Sequence, residues 1–510
     1  MQLNSTIKTF LSMFFLSVGC KMLGFLRQMM LAKYFGTGDV VDAYVLAQSI
    51  PNILFGGILV AFGASFMPLF SKRYEKDGIE SANAYTSRIL IILFSLSILV
   101  TILGASFSDN IATLMASGLN ENALKITSHY LKFTFGYTYF AASAGIYANY
   151  LQYKGIFSRQ IVGDYIQNLF FISFIWIAYK YNYNYLIIGL FLGYTFRVIF
   201  LRFLVHKNGF RIKIQTNGMI EDLNEVKNYA IPIFLSTTAN EINAFVDRTL
   251  ASRLDSGSIS SLNYAHQLST VFMELTITIL ATVIFPKLVQ SYTKGKKDTY
   301  SLYVKQGFMI CSIIAIPLAL LCVSYSRQII ELIFERGAFV SDSTIRTGNA
   351  FLFYSIGTFS LAICTYMGKV YYSASDMKTP MICAAIGVVI NILGDFILVN
   401  IMQANGLALA TSIASIINST LLLILYRKKD KKLVTKHEAF ELFKVICASI
   451  IIVLIGAFLI HFSINFTPFI RKSYFAVVCI ILLILYYVLL KAFKIKELEF
   501  LIRRNYGQKD

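Results

Sequence analysis

Apolar stretches of ~18 residues or more recur from one end of this 510-residue chain to the other. A run of that length, coiled as an α-helix, matches the hydrocarbon thickness of a bilayer. Backbone amides in lipid must be hydrogen-bonded internally, which leaves only helices or a closed barrel. Barrel strands alternate apolar and polar residues over short segments, and these runs do not alternate. The chain therefore reads as an all-α polytopic membrane protein. Composition agrees: 14% of residues are charged, against about 25% in soluble domains.

The pattern predicts fourteen spans, near 9–33, 42–70, 84–106, 124–151, 158–179, 183–205, 226–251, 259–286, 301–323, 345–373, 379–400, 406–426, 439–462 and 473–493. Pro51 and Pro232 fall inside two of them, where a lost hydrogen bond favours a kink. The first segment has no small-residue cleavage site and runs on into Arg27, so it reads as a retained helix.

Loop charges set the orientation. Lys72, Arg73 and Lys76 crowd one loop; Lys207, Arg211 and Lys213 another; Lys287, Lys294, Lys296 and Lys297 a third. Arg427, Lys428, Lys429, Lys431, Lys432 and Lys436 follow, and the tail adds Lys494, Lys496, Arg503, Arg504 and Lys509. The alternate loops 107–121 and 401–405 contain no base. The positive-inside bias puts both termini in the cytoplasm and requires an even number of spans. The net charge of +19 thus reads as topology and contact with anionic lipid headgroups. No nucleic-acid-binding module is recognisable. All seven cysteines lie in apolar segments without CxxC spacing, which reads as structural thiols. The five histidines form no ligand pair, so a zinc enzyme is not supported.

The sequence repeats weakly. LAKYFGTG (31–38) aligns with LASRLDSG (250–257), and Pro68, Tyr74 and Lys76 align with Pro286, Tyr292 and Lys294. Six spans separate the copies, so both units enter the membrane the same way, as a parallel pseudo-twofold repeat. The expected organisation is a first lobe over 1–215 and a second over 216–430. Two further helices and a basic cytoplasmic tail occupy 431–510. Such architectures place substrate between the lobes.

Ionisable residues at membrane depth are functional candidates by default. They are Arg27, Asp42, Lys132, Asp164, Arg197, Glu241, Asp247, Arg248, His266, Glu274, Lys369 and Asp395. An arginine at a helix centre costs roughly 2.5–3.5 kcal/mol on insertion scales, so Arg27 needs a partner acid, a wet cavity or an anionic substrate. The plainer reading for Lys132, Asp164 and Arg197 is mutual pairing or snorkelling. Asn391 and Asp395, at i and i+4, share a helix face. With Thr411 and Asp247 they form an all-oxygen set, which reads either as a hard-cation site or as a polar network without metal.

The stretches GFLRQMMLAKYFGTGDVVDAYVLAQSIPN (24–52), VDRTLASRLDSGSISSLNYAHQL (246–268), IFPKLVQSY (284–292), KVYYSASDMKTP (369–380) and GLALATSIASIINS (406–419) resemble the MurJ (MviN) lipid II flippases of the MOP transporter superfamily. The resemblance implies movement of undecaprenyl-pyrophosphate-linked peptidoglycan precursor, lipid II, from the inner to the outer leaflet of the bacterial cytoplasmic membrane. It implies alternating access driven by an ion gradient or the membrane potential, with no covalent chemistry, and a monomer whose partners are lipids. The implied headgroup cavity draws on Arg27, Asp42, Asn52, Arg248, Gln267 and Lys369. The implied sodium site is Asp247, Asn391, Asp395 and Thr411 with the Leu407 carbonyl. A pyrophosphate needs a hydrated cationic path, and arginine binds phosphate bidentately.

Three positions depart from the family pattern. Gln28 stands where an acid follows the first-helix arginine. The second-helix arginine is missing, the stretch reading PNILFGG with Phe55, Gly56 and Gly57. YADRL becomes YAHQL, putting Gln267 in place of a cavity arginine. Arg248, Lys369 and His266 remain to supply charge elsewhere. The alternatives are a flippase for another polyprenyl-linked saccharide, or a cation-coupled multidrug exporter of the same superfamily. A membrane-embedded transferase would need a catalytic motif in a loop, and no such motif is recognisable.

Overall fold

The computed structural model describes residues 2–214, 216–430, 435–463 and 466–495, with the backbone alone at 2–14, 232, 235–236 and 275–283. Among the described residues the secondary structure is helical throughout. The helices form two compact units, residues 1–260 with 336–339 and residues 261–335 with 340–510.

The first unit holds α1 (Gln2–Phe35), α2 (Asp39–Ser106), α3 (Ser108–Met115) and α4 (Glu121–Thr134). After a 3₁₀ turn (Phe135–Tyr137) come α5 (Thr138–Tyr153), α6 (Phe157–Lys180), α7 (Tyr185–Lys207) and α8 (Met219–Ser252). α2 runs for 68 residues and carries two of the predicted spans. The basic stretch 71–82, expected as a loop, is helical. Lys, Arg and Glu are good helix formers, and the one residue outside helical φ/ψ is Gly78, at φ 79°. That left-handed conformation is open to glycine at little steric penalty. Pro51 and Pro68 lie inside α2 without leaving helical φ/ψ.

An aromatic core fixes this unit. Phe66 stacks on Tyr85 at 5.7 Å, and Phe70 meets Tyr150 edge-on at 5.4 Å. Asp222, at the start of α8, is buried and receives Arg73 and Arg88 of α2 at 2.5 Å each. α8, which the repeat assigns to the second lobe, packs along α2 in this unit.

The second unit holds most of α9 (Ser258–Val283), then α10 (Phe285–Thr293), α11 (Lys297–Ser324), α12 (Ser326–Phe334), α13 (Ser341–Ile356) and α14 (Thr358–Ser373). It continues with α15 (Lys378–Met402), α16 (Ala404–Lys429), α17 (Lys436–His461) and α18 (Pro468–Ala492). α17 lies on α11, and α18 on α17 and α12. Val445, Ala448, Ile452, Val478 and Leu482 fill the seam, and the Tyr486 hydroxyl donates to the Ile313 carbonyl at 2.7 Å.

Each predicted span falls on helix, although 124–151, 259–286 and 345–373 are split by short breaks. Among the described residues eight helices are long and apolar enough to cross a membrane, and the bent pair α13–α14 makes a ninth. α15, α17 and α18 leave Leu393, Ile397, Leu454, Phe458, Leu483 and Ile484 exposed. That surface suits lipid rather than water. The protein is a multi-pass, all-α membrane protein.

Candidate functional site

In the first unit, Arg27 extends from α1 toward α6, where its guanidinium lies 5.1 Å from the Phe171 ring centre. It is half-buried, and no carboxylate pairs with it among the described residues. Its sequence neighbour Gln28 is buried, with Oε1 lacking a hydrogen-bond partner among the described residues. Arg197 behaves differently, pairing with Asp164 at 2.7 Å and donating to Gln167 at 3.0 Å. The plainer reading of Asp164 and Arg197 is the one the geometry supports. Among the described residues Arg27 meets the aromatic face of Phe171 and no carboxylate; such a face stabilises a cation by about 0.5–2 kcal/mol and leaves the guanidinium donors available to an anion.

Asp42 sits near the start of α2 and is fully buried. Its two carboxylate oxygens accept the backbone N–H groups of Gly257 and Ser260, each at 2.7 Å. Those N–H groups open α9 and have no partner within the helix, and a carboxylate there also favours the helix dipole. Gly257 adopts φ 89°, which turns its N–H to Asp42. Next to it, Asp39 accepts the Ser256 hydroxyl at 2.5 Å and both Asn120 contacts at 2.9 Å. The two copies of the repeated segment therefore meet in one clasp. Asn52 is exposed and donates to the Gln48 carbonyl at 3.2 Å.

On α8, Asp247 accepts from Asn243 at 3.3 Å. Arg248 is half-buried, with no ion pair among the described residues. In the second unit Gln267 is half-buried, and Lys369 lies 5.6 Å from the Phe285 ring centre without a carboxylate partner among the described residues. Asn391 and Asp395 are both buried, and the Asn391 amide donates to Asp395 at 2.7 Å. The Thr411 hydroxyl donates to the Leu407 carbonyl at 3.1 Å. A Cβ built on Gly394 would lie 3.0 Å from that of Ala410, so α15 and α16 bring Asp395 and Thr411 to the same height. Four of the five residues of the oxygen set thus share the α15–α16 pair, and Asp247 belongs to the first unit. Among the described residues no three His, Cys, Asp or Glu side chains cluster as metal ligands. The seven cysteines are free thiols.

Sequence reasoning did not foresee what Asp42 holds. The repeat offset of 218–219 residues was the available signal, because it aligns Gly38 with Gly257 and Asp42 with Ser260.

A family model described as "Lipid II flippase MurJ" matches residues 31–498. The chain belongs to the MurJ family. A probable lipid II flippase MurJ of Buchnera aphidicola subsp. Baizongia pistaciae is 27% identical over 433 residues, covering 83% of each chain. One from Vibrio cholerae is 27% identical over 417 residues, 79% of each. The lipid II flippase MurJ of Burkholderia cenocepacia is 22% identical over 80% of this chain and 81% of its own. A solved structure titled "Lipid II flippase MurJ, inward closed conformation" superposes with a TM-score of 0.81 at 23% identity, covering 96% of this chain and 99% of that one. An inward-facing MATE-family multidrug transporter of the MOP superfamily aligns with a TM-score of 0.66 at 13% identity over 81% of this chain and 95% of its own. At these identities the structures speak for the MurJ and MOP fold.

Proposed function

We propose that the protein moves lipid II from the inner to the outer leaflet of the cytoplasmic membrane by alternating access, as a monomer with both termini cytoplasmic and fourteen crossings. The observation that carries this reading is Arg27, a membrane-depth guanidinium with an aromatic neighbour and no carboxylate partner among the described residues. A pyrophosphate supplies the missing counter-charge, and arginine presents it with a planar fork of donors. Arg248 and Lys369 are further half-buried cations without carboxylate partners among the described residues. The relatives' names and the family match support lipid II as the cargo. The protein makes and breaks no covalent bond in this scheme; it lowers the barrier for a charged headgroup to cross hydrocarbon.

The oxygen set Asp247, Asn391, Asp395, Thr411 and the Leu407 carbonyl fits a hard cation in donor type, and sodium is the ion it would hold. Bound there, sodium would neutralise two carboxylates and bias one conformational state. Asp39, Asp42 and the loop they hold serve as a structural clasp at the head of α9.

The test is complementation. Expression of this chain is expected to restore growth to a bacterium depleted of its own lipid II flippase. Failure despite normal membrane levels would contradict lipid II as the cargo and favour another polyprenyl-linked saccharide. Gln28 and Gln267, at positions where the family pattern carries charge, are the observation that favours that second reading.

A further inference from the structure

Between α2 and α8 lies a cavity of about 220 Å³, lined by Ile53, Leu54 and Gly57 of α2 and by Phe234, Thr238, Glu241, Ile242 and Phe245 of α8. Glu241 is its one ionisable group. The carboxyl makes no hydrogen bond or ion pair with any described residue. The neighbouring hydroxyls are spent on their own helix, Thr237 and Thr238 both donating to the Phe234 carbonyl. α2 approaches closely here, a Cβ on Gly56 lying 3.3 Å from Oε1 of Glu241.

Among the described residues, no charge faces Glu241 from the elements packed on α8. α2 has no titratable side chain between Tyr44 and Lys72. α3, the other helix packed on α8, carries only Asp109, which accepts from Ser128. On α8 itself the nearest charges are Asp247 and Arg248, six and seven residues on, roughly 9–10 Å along the axis.

We propose that Glu241 is a proton-binding site that couples headgroup translocation to the transmembrane proton gradient. The inference rests on the lipid II reading and adds an ion to it. The carboxylate takes up a proton to become the neutral acid and gives the same proton back, with no other bond changed. An ionised carboxylate in this lining lacks a counter-charge and demands water. The neutral acid tolerates dry packing against Gly56. Proton binding therefore favours the α2–α8 contact, and release loosens it, which is the differential stabilisation coupling requires. A metal ion fits poorly, because a single carboxylate and one committed hydroxyl fall short of the six or so oxygens hard cations collect. Glu241 is not a member of the sodium set, and the set's residue on the same helix, Asp247, lies six residues on.

The experiment uses the full chain in proteoliposomes with labelled lipid II and the membrane potential clamped at zero. With one proton per lipid, the leaflet ratio of lipid II should shift about tenfold per unit of imposed pH gradient, in either direction of coupling. Glu241→Gln should hold the ratio constant whatever the gradient. A wild type that moves lipid II with no response to the gradient, or a Glu241→Gln variant that keeps the response, overturns the proposal alone. A wild type that moves no lipid II overturns the functional reading beneath it. Should Glu241→Gln fail to accumulate, wild-type protein is treated with dicyclohexylcarbodiimide, which attacks protonated carboxyls in apolar surroundings. Adduct at Glu241 that increases as pH falls supports the site, and none there overturns it.

Discussion

Asp42 and Ser260 lie 218 residues apart in sequence, yet the carboxylate of one accepts the backbone N–H of the other at 2.7 Å. With the matching bond from Gly257, the start of α9 is held by a side chain at the start of α2. Replacing Asp42 with alanine strands two N–H groups at the opening turn. Hydrogen bonds to a charged group contribute about 1.5–3 kcal/mol each, so Asp42→Ala should lower the melting temperature of the purified protein by several degrees. Asp42→Asn, which keeps one acceptor oxygen, should fall between. Unchanged melting in both would show that the clasp contributes nothing to stability.

Arg27 is expected to act on transport rather than folding. Its side chain makes an aromatic contact and no ion pair among the described residues, so Arg27→Ala should leave membrane levels intact on an immunoblot while abolishing complementation. Arg27→Lys keeps the charge without the planar fork and should restore growth only in part. Normal growth with Arg27→Ala would remove Arg27 from the substrate path.

The oxygen set predicts a sodium dependence. Sodium should raise the melting temperature relative to equal potassium, with stabilisation of about 2.7 kcal/mol at a hundred times the dissociation constant. Asp395→Ala and Thr411→Val should each abolish the increment. An increment that survives both substitutions would place the ion elsewhere.

Asp376 gives a pH dependence outside the spans. Burial opposes its charge, but Lys429 at 2.5 Å and the Thr379 N–H and hydroxyl at 3.0 and 2.8 Å outweigh it and hold the carboxyl at about 2. Because the folded value lies below the ordinary one of about 3.9, the contribution is complete above about pH 4 and disappears as pH falls through about 2. Lys429 is largely exposed, so the contribution is of order 1 kcal/mol. Wild type should be more stable than Asp376→Asn at neutral pH, with the difference shrinking in that acid window. A difference constant with pH would assign it to something other than this carboxylate.

The spans were legible because lipid gives a backbone so few options: long apolar runs between basic clusters leave only helices. The same logic mispredicted 71–82, where charged residues marked a loop but are also good helix formers, and only Gly78 breaks the helix. The ionisable residues were legible as a set, and their fates were not. Arg197 finds Asp164, whereas Arg27 and Glu241 find no counter-charge among the described residues. Pairing depends on which helix faces which, and composition does not carry that information. Asp42 shows the limit most plainly, since its partners are backbone N–H groups that look alike at every position of a sequence.

The most direct measurement is the leaflet position of lipid II in cells that depend on this chain alone. Lipid II should reach the outer leaflet in cells expressing the wild type and remain on the inner leaflet in cells expressing Arg27→Ala. Lipid II confined to the inner leaflet, with the wild-type chain at normal levels in the membrane, would contradict the assignment.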